Sequence, residues 1–224
     1  NKQIRGAAHY DVGISMLRRG KTQVDYGHFY KAAWTYETQA VGFLALAQIK
    51  SEQDDIDAAI AFLDKALVTN YHDMTVRTLK VNLLRRAGRL DEARKLIADN
   101  AAIDPLAIAN RYEAQQLAPS DANKAALTAA LNHKFNNYLA LAEPYIKAGQ
   151  YEEARDIIGA FDGQQPLKDY YQAVLSAKLG DMKSAETYAK QGANGNPDYV
   201  FPNRLYDVVV LKAIIAEHPE DGLA

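Results

Sequence analysis

The chain has 224 residues, a formal net charge of −2, 48% apolar residues and no cysteine. That apolar share supports a continuous core and argues against disorder, and the slight acidity argues against a general nucleic-acid binder. Disulfides and cysteine-based zinc sites are excluded. The longest apolar runs, such as Ala40 to Ala47, are too short to span a membrane. No signal peptide is visible at the start. The chain opens on Asn1 in helix-like sequence, which reads as a piece of a longer protein. No compartment follows from this composition, a cytoplasmic one being preferred.

Self-similarity organises the chain. Ala32, Ala66 and Asn100 fall 34 residues apart, as do Gly20, Asp54 and Gly88, and Phe29, Leu63 and Ile97. Ala59 and Ala93 keep the same step. Three units result, at 6–39, 40–73 and 74–107. The first departs from the pattern at Asp25 and Gly27, which weakens its second helix. The third is the most regular. An apolar helix ends at Ala87-Gly88, Asp91-Glu92-Ala93 opens the next, and Pro105 stops it. Glycine suits the position after a helix because it tolerates positive φ. Carboxylates suit a first turn because the exposed N–H groups there are partly positive.

An atypical unit at 108–134 follows, with helix over Ile108–Leu117, a turn at Ala118-Pro119-Ser120, and a short helix capped by Ser120 or Asp121. The turn pattern returns at Gly149-Gln150-Tyr151-Glu152-Glu153-Ala154 and at Gly180-Asp181-Met182-Lys183-Ser184-Ala185, with Pro197 as the terminator. These give units 135–165 and 166–199. A last helix over 202–218 starts at Pro202. Its largely apolar face is read as Leu205, Val208, Val209, Leu211, Lys212 and Ile215, covering the end of the stack.

The period and residue classes resemble the tetratricopeptide repeat. That resemblance implies an all-α, right-handed superhelix of about six helix-turn-helix units with a C-terminal capping helix. Further strings are Asp104-Pro105-Leu106 with Arg111-Tyr112-Glu113, Asn137-Tyr138-Leu139, and Pro197 through Leu205. They resemble the helical C-terminal region of large bacterial proteins in which a β-rich domain of uncharacterised function, with a proposed carbohydrate link, precedes the repeats. The resemblance supplies no functional residues.

Candidate chemistry has bland readings. Glu152-Glu153 and Asp54-Asp55 sit at helix starts, where negative charge is stabilised without catalysis. No two of the five histidines are three or four residues apart, the spacing that puts two metal ligands on one helix face. No nucleophile-elbow or phosphate-loop motif occurs. Tyr145 and Tyr151 read as packing residues. Of the neighbours Tyr170 and Tyr171, one is expected to face away from the core. Asn132–Asn137 reads as a helix junction.

The resemblance places function on the concave side, lined by first helices. Its register assigns Arg18, Gln48, Asn82, Arg85, Arg86, Asn136, Glu143, Lys147, Tyr170 and Lys178 to that surface. Arg85 and Arg86 are both expected there as exposed residues that tolerate substitution. Tyr10 and Ile14 stand where a carboxylate-gripping repeat carries Lys and Asn, so that activity is not indicated. The reading is a non-enzymatic scaffold without cofactor or metal. It binds a protein or peptide, or another domain of its own polypeptide, and no nucleic acid. The competing reading is a helical accessory region of a larger carbohydrate-active enzyme, helping to form its substrate cleft.

Overall fold

The computed structural model describes residues 2–17, 22–196, 198 and 201–222. Arg18, Gly20, Pro197, Tyr199 and Val200, each used in the sequence reading, lie outside the described residues. The described residues are all-α. The helices are α1 (Lys2–Leu17), α2 (Thr22–Ala32), α3 (Tyr36–Glu52), α4 (Ile56–Thr69), α5 (Met74–Arg86), α6 (Leu90–Ile103), α7 (Ile108–Leu117), α8 (Asp121–Leu131), α9 (Phe135–Lys147), α10 (Tyr151–Gly159), α11 (Pro166–Lys178), α12 (Met182–Ala193) and α13 (Leu205–Glu217). α1 with α2, α3 with α4, α5 with α6 and α11 with α12 pack as hairpins. The irregular fourth pair, α7 and α8, has its turn where Pro119 and Ser120 predict it, and Ser120 Oγ accepts from Asn123 N at 3.1 Å. The second helix of the first unit forms as α2 despite Gly27. α3 begins at Tyr36, ahead of the boundary expected at residue 40.

The turns explain the hairpins. After α5, Gly88 has φ +73°, its N–H donates to Arg85 O, and Arg89 N donates to Leu84 O at 2.9 Å. This is a Schellman closure, which satisfies carbonyls that a helix end leaves bare. Gly149 and Gly180 close α9 and α11 in the same way, through Gln150 N to Tyr145 O and Asp181 N to Ser176 O. Asp54 does the same work at φ +59°, with Asp55 N donating to Lys50 O. At two of these turns the next residue caps the following helix: Asp55 accepts from Ala58 N, and Asp181 from Ser184 N.

Two compact units result. One comprises Asn1–Ala130 with Lys147–Gly149, the other Leu131–Ile146 with Gln150–Ala224. In the first, α1 to α7 pack in sequence, and first helices also touch, α1 on α3 and α5 on α7. Its main core joins Ala59, Leu63, Ala66, Leu79, Leu83, Leu84 and Ala93. Ala59 and Ala93, small residues at the repeat's crossings, are fully buried. Ala148 belongs to the same core. Gly149 lies so close to α3 that a Cβ there would stand 2.7 Å from Glu52 Cα.

A polar network is buried beside this core. Asn100 holds the place in the period that Ala32 and Ala66 hold. Arg77 Nε donates to Asn100 Oδ1 at 2.6 Å, and Asn100 Nδ2 donates to Asn110 Oδ1 at 3.1 Å. Arg77 Nη1 reaches Tyr71 O at 3.1 Å, and its guanidinium lies 4.6 Å from the Tyr71 ring centroid. All three polar residues are buried.

In the second unit α11 packs on α10, α12 and α13. This overturns the expectation for Tyr170 and Tyr171, because both are buried. Tyr170 Oη donates to Asp221 Oδ2 and Tyr171 Oη to Asp207 Oδ1, each at 2.7 Å. Covering groups some 36 and 51 residues further along enclose both rings. Burial first, and then the carboxylate each hydroxyl meets, pushes both phenols up from their ordinary range. Gly192 makes room for Tyr170, since a Cβ there would stand 2.6 Å from its ring. The face of α13 is also corrected. Asp207, Val210 and Ile214 are its buried residues, whereas Leu205, Val208, Val209 and Ile215 are exposed. Asp207 anchors that side by accepting from Asn203 N, Arg204 N and Tyr171 Oη.

Candidate functional site

The residues assigned to the concave side divide between the two units. Gln48, Asn82, Arg85, Arg86 and Lys147 belong to the first; Asn136, Glu143, Tyr170 and Lys178 belong to the second. In the first unit, α3 carries Gln48 half-buried and α5 carries Asn82 fully buried. The end of α5 supplies the two arginines, and they differ. Arg85 Nε stands 3.1 Å from Glu113 Oε2, and Glu113, on α7, has a side chain 0% exposed. Arg86 Nη2 stands 3.4 Å from Asp54 Oδ1, and that carboxylate is 82% exposed. Arg85 is therefore a structural cation paired with a buried acid, whereas Arg86 is an exposed cation paired with an exposed one. Lys147 is exposed.

In the second unit Asn136 is exposed and its carbonyl accepts from Arg204 Nη2 at 3.0 Å. Glu143 is half-buried and pairs with Arg204 Nη1 at 3.4 Å. Arg204 thus ties the segment before α13 to α9. Lys178 is exposed, with Nζ 5.7 Å from the Tyr151 centroid. Asn82 and Tyr170 are closed to solvent, so this structure offers neither to a partner. Alongside, α11, α12 and α13 enclose a groove of about 530 Å³, largely lined by alanines such as Ala173, Ala177, Ala185 and Ala189.

The paired carboxylates hold structural positions. Asp55 caps α4 and pairs with Lys50 at 3.0 Å. That hydrogen bond holds its carboxyl below the usual range. Glu152 and Glu153 lie in the first turn of α10. Two histidines that the sequence does not link are brought together, His9 and His28, with Nδ1 to Nδ1 at 2.9 Å. Among the described residues no group of three or more His, Asp or Glu side chains is arranged to hold a metal. None of the described helices is long and apolar enough to cross a membrane.

Sequence reasoning missed the partners that sort the arginines, Glu113 and Asp54, because they are 28 and 32 residues away. It also missed an aromatic row running along α2 into the turn that follows it. Tyr26 and Tyr30 are near-parallel with centroids 6.5 Å apart, and Tyr30 and Trp34 lie 6.1 Å apart. Their spacing of four residues was the available signal.

No family model matches the chain. A tetratricopeptide repeat protein of Parabacteroides merdae superposes with a TM-score of 0.51 at 13% identity, over 94% of this chain and 84% of that one. The chain has the tetratricopeptide-repeat fold. The pilF protein of Pseudomonas aeruginosa gives 0.49 at 19% identity, over 96% and 99%. YrrB, a repeat protein with an unusual peptide-binding site, gives 0.40 at 18%, over 83% and 96%. A curated relative, cellulose synthase operon protein C of Pseudomonas fluorescens (strain SBW25), is 30% identical over 162 residues, covering 64% of this chain. The chain spans 13% of that protein's length.

Proposed function

We propose that this chain is a non-catalytic interaction scaffold that binds a protein or peptide segment, or another domain of its own polypeptide, along the first helices α3 and α5. The observation that carries this is the ordered rim at the end of α5. Arg85 is fixed on buried Glu113, so the neighbouring Arg86, exposed and paired with Asp54, is presented in a defined position. A preorganised cation loses little freedom on binding and attracts an acidic segment. Lys147, placed in the same compact unit, adds to that field. The experiment is a pull-down from the source organism with wild type and Arg86→Glu at low and high salt. Partners lost from the variant, and weakened by salt in the wild type, support the rim. Equal recovery by both refutes it.

A second reading is favoured by the relative named for a cellulose synthase operon. In it the chain is a helical region of a larger glucan-handling protein and contributes to the path of the polysaccharide. Soluble cello-oligosaccharides offered to the isolated chain in a calorimetric titration test it, and absence of binding counts against it.

A further inference from the structure

We propose that His9 and His28 form an acid-sensitive latch that holds the first hairpin, α1 with α2, on α3. The two rings meet across the hairpin, with Nδ1 to Nδ1 at 2.9 Å and centroids 5.1 Å apart. Both residues are half-buried. Two ring nitrogens at that distance share one proton: one Nδ1–H donates and the other Nδ1 accepts. A first added proton goes to Nε2 of the donating ring and leaves the bridge in place. A second has to occupy the accepting Nδ1. It sets two N–H groups and two positive charges against each other, so the contact opens.

The surroundings make His9 the accepting ring. Burial first, then His28 and then Lys31 hold its pKa below the ordinary 6.5. The charged side chains described on α1, α2 and α3 are Arg5, Asp11, Lys31, Glu37, Lys50 and Glu52. Of these, Lys31 is the one that acts on His9, so no negative charge there offsets a protonated ring. The latch also sits beside the contacts that seat the hairpin. Tyr10 and Phe29, each one residue beyond a histidine, meet edge-on with centroids 5.7 Å apart. Phe29 is fully buried and shares a core with Ala45, Leu46 and Ile49 of α3. Gly13 lies so close that a Cβ there would stand 2.7 Å from the Phe29 ring. Packing this tight has little slack, so forcing the histidines apart loosens α1 and α2 from α3. A histidine whose pKa is lowered by folding takes its proton more readily in the open form. The hairpin is therefore firm above about pH 6.5 and loosens as the pH falls below it.

Proton NMR of the histidine ring C–H signals, from about pH 8 to about pH 5, reads the latch directly. The pair should titrate in two separated steps, the second below 6.5. Hydrogen exchange on the same chain, corrected for the pH dependence of the intrinsic rate, gives the opening of α1 and α2. For each unit by which the lower step falls below its ordinary value, opening should rise about tenfold in the acid limit. α5 and α6 should keep their protection. His9→Asn leaves an acceptor that cannot be charged, so it should remove the acid response and keep the protection at neutral pH. His28→Asn, whose amide can turn to accept from a protonated His9, should do the same. One step at the ordinary value for both rings shows that no proton is shared and refutes the latch. Two steps without the matching rise in exchange also refute it. A response that survives in both Asn variants overturns the assignment to this pair. So does one that vanishes in Asp25→Asn, three residues before His28 in sequence. If neither histidine variant folds, agreement or disagreement between titration and exchange in the unaltered chain decides.

Discussion

Single residues show where the repeat's rules are kept by unusual means. Asp54 adopts the left-handed conformation that Gly88, Gly149 and Gly180 adopt in the equivalent turns. A side chain there carries a steric cost, and the exposed pair with Arg86 returns little. Asp54→Gly should therefore stabilise the chain by about 0.5–1 kcal/mol in a denaturant melt. A loss of stability would show that the carboxylate counts for more than the backbone. Asn100 is the opposite case, a polar group where the period calls for alanine. Restoring alanine looks conservative from sequence. In the structure it removes the acceptor of Arg77 Nε inside the protein. Asn100→Ala should cost about 2–4 kcal/mol, because a buried cation loses a partner. Asn100→Ala combined with Arg77→Met should cost less than the sum of the single changes, and simple additivity would sink the coupling.

At the level of helices, most of the hairpins were legible because their signals are local. A glycine or aspartate at the αL position, a cap one residue later and a small residue at the crossing all lie within one turn and the next helix. The irregular pair α7 and α8 was found for that reason, through Pro119 and Ser120. What failed depended on distant neighbours. Tyr170 and Tyr171 are both buried because Asp221 and Asp207 return over α11. The buried side of α13 could not be read from its pattern, since it is apolar all round and a moment-based reading has no preferred face. Asp207, a buried polar residue, sets that side. Asp207→Ala should accordingly destabilise by about 1–3 kcal/mol, leaving the buried Tyr171 hydroxyl and two N–H groups without their acceptor. Val208→Ser, on the exposed side, should stay within about 0.5 kcal/mol. Equal effects would mean that the helix face has been misassigned. Ala93→Leu tests the crossings: an added branch at a fully buried contact of α6 should cost about 1–3 kcal/mol.

Over the whole molecule the candidate site was the least legible part. The repeat register predicts which side of a helix a residue occupies. It does not predict which residues elsewhere neutralise it, and so it treats Arg85 and Arg86 as equivalent. The structure makes them opposites, and a reversal of charge at each should separate stability from binding. Arg85→Glu sets a second carboxylate against Glu113, whose side chain is closed to solvent. Removing one member of such a pair costs about 3–5 kcal/mol, because the remaining charge stays buried. In a repeat array stability is shared mainly between neighbouring elements, so that loss should spread through the helices around α5 and α7. Hydrogen exchange should then show protection falling first in α5, α6 and α7, while α11 and α12 retain theirs. Arg86→Glu should change the melt by no more than about 1 kcal/mol, as an exposed substitution does. If the rim is the binding surface, it is this second variant that loses the partner, by a margin that shrinks as salt screens the field. A folded, stable Arg85→Glu protein would show that Glu113 does not depend on its arginine. In that case Arg86 would lose the fixed neighbour on which its presentation to a partner depends.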